Sequence, residues 1–325
     1  MDVKGAFLHG EIEENEEIHM EVPKGFEKHY NNDVVLKLKQ YLYGLKQAAM
    51  AFWKQLLKCM KDMNMKRSTA DPCLYYDWTS DGLVMIVSWI DDNLVVGSDE
   101  AVAKTKGGLM SRFDCEDCGE LDEYVGCKIT RIGDNALKFT QPVILQSYTD
   151  EFDLPNRKFP TPATAGDCLT KCNEKDALGP EKHSKYRSRV GKMMHVMQYS
   201  LPQTYNAVRD LARHMSQPAP KHMKAMLHCM KHCADRPNRG LVLKPDSRWD
   251  GSKNFAFTIA GQSDSDYAKE PVTRRSVSGS SVKLNGAPVM FRSGTQKHVA
   301  LSVTEAELYA AVTCAQDMIY CMHVL

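Results

Sequence analysis

The sequence predicts an α+β protein of more than one domain, and three observations predict it. Its 325 residues exceed what one ordinary core organises, and chains of that length divide. Short apolar strands alternate along it with amphipathic helical stretches. Residues 156–180 hold three prolines, two glycines and no apolar period, and so read as a connection. The expected divisions are 1–155, a linker with helices over 156–250, and 251–325.

The elements follow in order. The first ten residues end a strand carrying Asp2 and run into a turn. Glu11, Glu13, Glu14, Glu16 and Glu17 then read as a solvated loop or helix end. Residues 33–38 alternate apolar with charged side chains, as a half-buried strand does. Over 47–63 the recurrence of Ala48, Phe52, Leu56 and Met60 predicts a helix with one apolar face. Residues 73–78 form a short strand before the Asp81-Gly82 turn signal. Two apolar strands, 83–90 and 94–97, flank Asp91-Asp92-Asn93 and predict a β-hairpin with carboxylates at its tip. Asp99 caps a helix reaching about residue 113. A second hairpin is expected around Gly133-Asp134. Helices are expected near 181–200, 203–216 and 219–235. Short strands begin at Phe255, and a helix begins near Thr304.

Composition bounds function. Apolar residues at 43% and charged residues at 26% are ordinary for a soluble globular chain. No apolar run approaches the roughly 20 residues of a bilayer span, so no membrane partner is expected. No charged segment followed by an apolar one opens the chain, so the 11 cysteines read as reduced thiols in a cytosolic compartment. Cys115/Cys118 and His228-Cys229/His232-Cys233 have metal-ligand spacing. Neither has the second spaced pair of a structural zinc site, and ordinary helix packing is the expectation. The net charge of +1 excludes a polycation. Residues 181–240 nevertheless carry 12 Lys and Arg against 3 Asp and Glu, with six His. Such a block is either a solvated helix surface or a track for a phosphate backbone.

Asp91-Asp92 admits two readings from the residues alone. Asp and Asn suit tight turns, and paired carboxylates suit a hard divalent cation. Context supplies a third fact. Ser88-Trp89-Ile90-Asp91-Asp92 resembles the aromatic-x-Asp-Asp box of reverse transcriptases. Met1-Asp2-Val3-Lys4-Gly5-Ala6-Phe7-Leu8 resembles their first catalytic motif. Tyr41-Leu-Tyr-Gly44-Leu-Lys46-Gln47-Ala48 is close to the "SLYGLKQAP" signature of copia-type retrotransposons. Asp71-Pro-Cys-Leu-Tyr75, Gly119-Glu120-Leu121, Tyr124-Val-Gly126, Tyr186-Arg and Val190-Gly191 continue the match in order. The chain therefore resembles a copia-type Pol polyprotein over its reverse transcriptase region.

The resemblance implies a palm over 1–155, a thumb-like helical region, and nucleotidyl transfer with two Mg²⁺ (or Mn²⁺) ions held by Asp2, Asp91 and Asp92. It implies that Phe7 is the steric gate against a ribose 2′-hydroxyl, and that Lys46 and Gln47 meet nucleotide and template. Gly261-Gln-Ser-Asp264-Ser-Asp266-Tyr-Ala268 resembles the family's "GYSDADWAG". Arg274-Arg275-Ser276 resembles "RRSTSG", and the stretch from Val299 to Ala310 resembles "VALSSTEAEYVA". These imply a truncated ribonuclease H-like α/β domain with Asp264 and Glu307 as metal ligands, and Asp266 and Glu305 as secondary neighbours. The implied partners are an RNA template, a DNA primer, deoxynucleoside triphosphates and an RNA–DNA hybrid, in cytoplasmic particles or the nucleus. Trp89, Ile90 and Ala49 depart from the family's usual Tyr, Val and Pro. The family's fingers precede the first motif and its last ribonuclease H Asp follows the first helix, so this chain alone is expected neither to extend a primer nor to cleave a hybrid. The opposing hypothesis is a decayed remnant that at most binds nucleic acid.

Overall fold

The computed structural model describes residues 1–31 and 33–325. They form two compact units, 1–121 and 122–323. Unit 1 holds, in chain order, β1 (Asp2–Val3), β2 (His19–Glu21), β3 (Val35–Lys37), α1 (Ala48–Asp62), β4 (Lys66–Arg67), β5 (Leu74–Thr79), β6 (Gly82–Trp89), β7 (Asp92–Gly97), α2 (Asp99–Arg112) and β8 (Cys115–Glu116). Six strands make an antiparallel sheet in the order β4-β5-β6-β7-β1-β8, while β2 and β3 pair separately. On α1 the residues Ala48, Phe52, Leu56, Cys59 and Met60 are buried at helical spacing, as expected from the sequence. They meet Val3, Val84, Ile86 and Leu109 in one core. Gly5 stands at φ 61°, where a side chain would be strained, and turns the chain from β1 into the short Ala6–His9 helical turn. The acidic run is a largely exposed loop, as expected from the sequence, and surface pairs tether it: Glu13 to Lys54, Glu17 to Lys37, and Glu16 to Tyr41 and Gln47.

Unit 2 holds β9 (Glu123–Tyr124), β10 (Cys127–Arg131), β11 (Leu137–Thr140), α3 (Pro142–Glu151), α4 (Pro180–Tyr199), α5 (Tyr205–Ala212), α6 (Pro220–Ala234), β12 (Leu241–Leu243), β13 (Ile259–Asp266), β14 (Val277–Leu284), β15 (Ala287–Thr295) and α7 (Val303–Val324). Tyr148, Tyr186, Val190, Leu211, Met226 and Cys229 make its helical core. The compact units part before the β10–β11 hairpin, whereas the sequence placed a division after α3. The reason is pairing across a long sequence gap. β12 joins β11 with Leu137 opposite Leu243, and Leu145 and Tyr148 of α3 pack into the core formed with α4 and α6.

The expected linker has almost no regular structure, yet it is strapped to the helices. His214 donates to Leu169 O (3.2 Å), His222 to Thr170 O (2.9 Å), His228 to Thr161 O (2.9 Å) and His232 to Phe159 O (3.0 Å). Four ring donors thus satisfy four carbonyls that no strand or helix would satisfy. The sheet β13-β14-β15 has a helix against each face, with β13 left largely exposed. Gly261 lets α7 approach one face, since a Cβ there would lie 2.7 Å from Cys314 Sγ. Arg292 of β15 grips buried Asp317 of α7 through two bonds of 3.0 and 2.6 Å. The other face meets α5, where Arg209 bonds Thr295 at 2.9 Å.

Candidate active site

The candidate site is built on the β6–β7 hairpin. Trp89 stands opposite Asp92, leaving Ile90 and Asp91 as a two-residue turn. Ile90 has φ 59°, which a β-branched residue rarely adopts. The short strand β1 lies against β7 with Asp2 opposite Asp92. Val3 N–H donates to Asp91 O at 3.0 Å, and Asn93 N–H donates to Met1 O at 2.8 Å. Directly opposed residues of an antiparallel pair present their side chains to one face, about 5 Å apart. Asp2 and Asp92 therefore share a face, and Asp91 is the neighbour of Asp92 in the adjoining turn. Val3 and Asn93, one step along, point into the core and are buried.

The rung extends further. Glu116 of β8 is the other partner of Asp2, so three acids line one rung, Asp92, Asp2 and Glu116. Glu116 also pairs with Lys4 at 3.4 Å. Sequence reasoning missed Glu116, because its only local signal was a Cys-Glu-Asp-Cys spacing read for another purpose. The donor chemistry of this face suits a hard divalent cation, being all carboxylate oxygen. Among the described residues, no three Asp, Glu, His or Cys side chains are gathered closely enough to share one ion. The fit is thus one of donor type and strand placement.

Phe7 lies in the turn after β1, half-buried, with its ring 4.8 Å from that of Tyr43. Lys46 and Gln47 precede α1 and are exposed. Both line a cleft with Glu11, Glu13, Glu14 and Glu16, and Gln47 donates to Glu16 at 2.8 Å. The residues implied to meet an anionic substrate are therefore set among acids.

In unit 2, Glu307 of α7 accepts from the backbone N–H (3.2 Å) and hydroxyl (2.7 Å) of Ser265. Successive side chains of a strand point to opposite faces. Asp264 consequently projects away from Glu307, toward a polar cleft that it lines with Gln203, Asn206 and Ser293. The pair implied by resemblance is not joined in this arrangement, because Ser265 occupies the position facing the helix. Asp266 pairs with Lys269 at 3.1 Å. Glu305 works as a helix cap: Ser302 Oγ accepts from Glu305 N–H, and the Glu305 carboxylate accepts from Leu301 N–H.

The basic block is mostly consumed internally. Arg189 and Lys192 both pair with Glu151, and Arg213 bridges Asp210 and Glu270. Arg209 is bound to Asn206 and Thr295. The Glu270 carboxyl is pulled down to about 2, first by the Thr273 backbone N–H and then by Arg213. Of the cysteine and histidine quartet on α6, His228 and His232 are spent on the strap, while Cys229 and Cys233 are buried in the helical core. No helix among the described residues is long and apolar enough to cross a membrane.

Comparison with known proteins agrees with the motifs. The family model for reverse transcriptase (RNA-dependent DNA polymerase) matches residues 1–164, which include Asp2, Phe7, Lys46, Gln47, Asp91 and Asp92. The chain is 32% identical over 330 residues to the retrovirus-related Pol polyprotein from transposon TNT 1-94 of Nicotiana tabacum, covering 98% of this chain and 24% of that protein. It is 26% identical to the Pol polyprotein from transposon RE1 of Arabidopsis thaliana, over 98% of this chain and 21% of that one. A Ty5-1 transposon protein of Saccharomyces cerevisiae is 27% identical over 96% of this chain and 98% of its own length. The chain spans about a quarter of the two plant polyproteins. With the family matched over half its length and copia-type relatives along nearly all of it, the chain belongs to the reverse transcriptase family as a copia-type Pol region.

Proposed function

We propose that the chain supplies the palm and ribonuclease H region of a copia-type RNA-directed DNA polymerase, with Asp2, Asp91 and Asp92 holding the divalent ions. The observation that carries the reading is the rung that sets Asp2 opposite Asp92 with Asp91 in the adjoining turn. Bound Mg²⁺ or Mn²⁺ supplies charge stabilisation for an in-line displacement at phosphorus. Asp2 and Asp91 are the direct ligands, and Asp92 supports them. Backbone bonds between β1 and the hairpin hold these donors in place before any substrate arrives, which lowers the ordering cost of the reaction. Phe7 bars a ribose 2′-hydroxyl. Lys46 and Gln47 exchange their acidic surroundings for nucleotide and template. The partners are a primed RNA template, deoxynucleoside triphosphates and, for hydrolysis through Asp264 and Glu307, an RNA–DNA hybrid. For that second activity Glu307 has to leave Ser265 and Asp264 has to come to the same side of β13 as Glu307.

A non-catalytic remnant is the second reading, favoured by the absence among the described residues of three ligand side chains gathered at one point. Primer extension on an RNA template in Mg²⁺ or Mn²⁺, by this chain within a longer Pol protein, separates the two. Extension lost with Asp2→Asn and with Asp91→Asn supports the polymerase. Extension that survives both refutes the residue assignment, and template binding without extension supports the remnant.

A further inference from the structure

We infer that Asn93 is a positioning residue that clamps the Asp91–Asp92 peptide and so aims the carboxylates of the hairpin. The inference rests on the reading that these acids bind a divalent ion. Asn93 is the residue after the pair, and its side chain points into the core, 2% exposed. Its Nδ2 donates to Asp91 O at 3.0 Å. The same carbonyl accepts from Val3 N–H at 3.0 Å. Both lone pairs of that oxygen are thus occupied, one from the strand that carries Asp2 and one from beneath the turn.

A peptide plane held by two donors cannot rotate without losing both. Rotation there would swing the Cα–Cβ bond of Asp91 and the backbone of Asp92. The turn needs such a restraint, since Ile90 at φ 59° is strained and would relax if the tip were loose. The Asn93 backbone adds two bonds to Met1, N–H to O at 2.8 Å and O from N at 3.0 Å. Asn93 therefore joins β1, β7 and the turn at one point.

Core packing does not account for the residue. Its Oδ1 is buried with no hydrogen-bond partner among the described residues. A buried amide satisfied on one side only is worse for the core than an apolar side chain of the same volume. What asparagine adds over leucine here is the donor under Asp91.

The test is Mn²⁺ binding to the purified chain by electron paramagnetic resonance, with thermal unfolding by circular dichroism on each variant. Asp91→Asn should weaken Mn²⁺ binding, which establishes that the ion uses the turn. Asn93→Leu should leave the melting temperature unchanged or raised and weaken Mn²⁺ by on the order of tenfold, as losing the support of a ligand does. Asn93→Ser, too short to reach the Asp91 carbonyl and small enough to fit, should show the same loss, and it decides the matter where leucine disturbs the fold. Unchanged Mn²⁺ affinity in both Asn93 variants, with Asp91→Asn still weakened, overturns the inference and leaves the metal reading standing. Affinity falling only in step with melting temperature assigns Asn93 to the core and overturns it as well. An Asp91→Asn protein that binds Mn²⁺ like the parent sinks the metal reading itself.

Discussion

A β-branched residue held at φ 59° costs about 1–2 kcal/mol over the right-handed conformation, and Ile90 bears that cost at the hairpin tip while half its side chain is exposed. Asparagine tolerates the left-handed region. Ile90→Asn should therefore stabilise unit 1 by about 1 kcal/mol, read as a higher denaturant midpoint. An unchanged or lower midpoint would mean that the apolar contacts of Ile90 outweigh its strain. Phe7 gives a residue-scale test of substrate choice. Phe7→Ala, in a longer Pol protein that extends primers, should incorporate ribonucleotides more readily, and unchanged sugar discrimination would leave Phe7 as packing against Tyr43. The acids at 2, 91 and 92 were legible in the sequence because each sits in a short motif. Asn93 and Glu116 were not. Their places depend on a ladder register that joins β1 to β7 and β8, and no local pattern encodes that register.

Helices and strands with strong periods were legible to within a few residues, as α1, α2, α7 and the β6–β7 hairpin show. α3 was missed although Pro142 at its first turn is a start signal, because Val143, Ile144 and Thr149 are β-branched and weaken the helical reading. The histidine strap was hidden for another reason. Six His among twelve cations look like charge, whereas burial disfavours the charged form of three of the strap rings. His214 is pushed down to about 4 and stacks 4.0 Å from His222; His222 and His232 are also lowered by burial. Below about pH 6.5 the unfolded chain takes protons that these folded rings refuse, so their stabilisation is full above that pH and drains away toward pH 4. Denaturant midpoints of unit 2 should fall between pH 7 and 5, and His214→Phe should flatten that slope. A flat parent profile would contradict the neutral strap. Glu270 acts in a lower window, losing its contribution only as pH falls from 4.5 toward 2. Arg213→Ala should cost about 2–3 kcal/mol, because it leaves the buried Glu270 carboxylate without its cation. The same pairing engages cations that a phosphate track would need free. Charge reversal at Arg189, Lys192, Arg209 or Arg213 should reduce stability before it reduces nucleic-acid binding, leaving exposed Arg187 as the member free of that confound.

At the scale of the whole molecule, the two units have separate cores, one around Phe52, Leu56, Tyr75 and Ile86 and the other around Tyr148, Tyr186, Leu211 and Met226. A chain with two cores need not unfold in one step. The composition supplies a natural pair of probes. Trp53, Trp78 and Trp89 lie in unit 1 and Trp249 in unit 2, while five of the seven α-helices among the described residues lie in unit 2. Tryptophan fluorescence therefore reports mainly on unit 1, and far-ultraviolet circular dichroism mainly on unit 2. We expect the two signals to give transitions that do not coincide in urea. Each transition should answer to its own core. Leu56 and Leu211 are both about 2% exposed, and cutting either to alanine leaves a cavity worth about 2–5 kcal/mol. Leu56→Ala should move the fluorescence transition and leave the dichroism transition in place, and Leu211→Ala should do the reverse. A single transition that both variants shift equally would show that the cores unfold as one, and the division before the β10–β11 hairpin would then carry no thermodynamic weight.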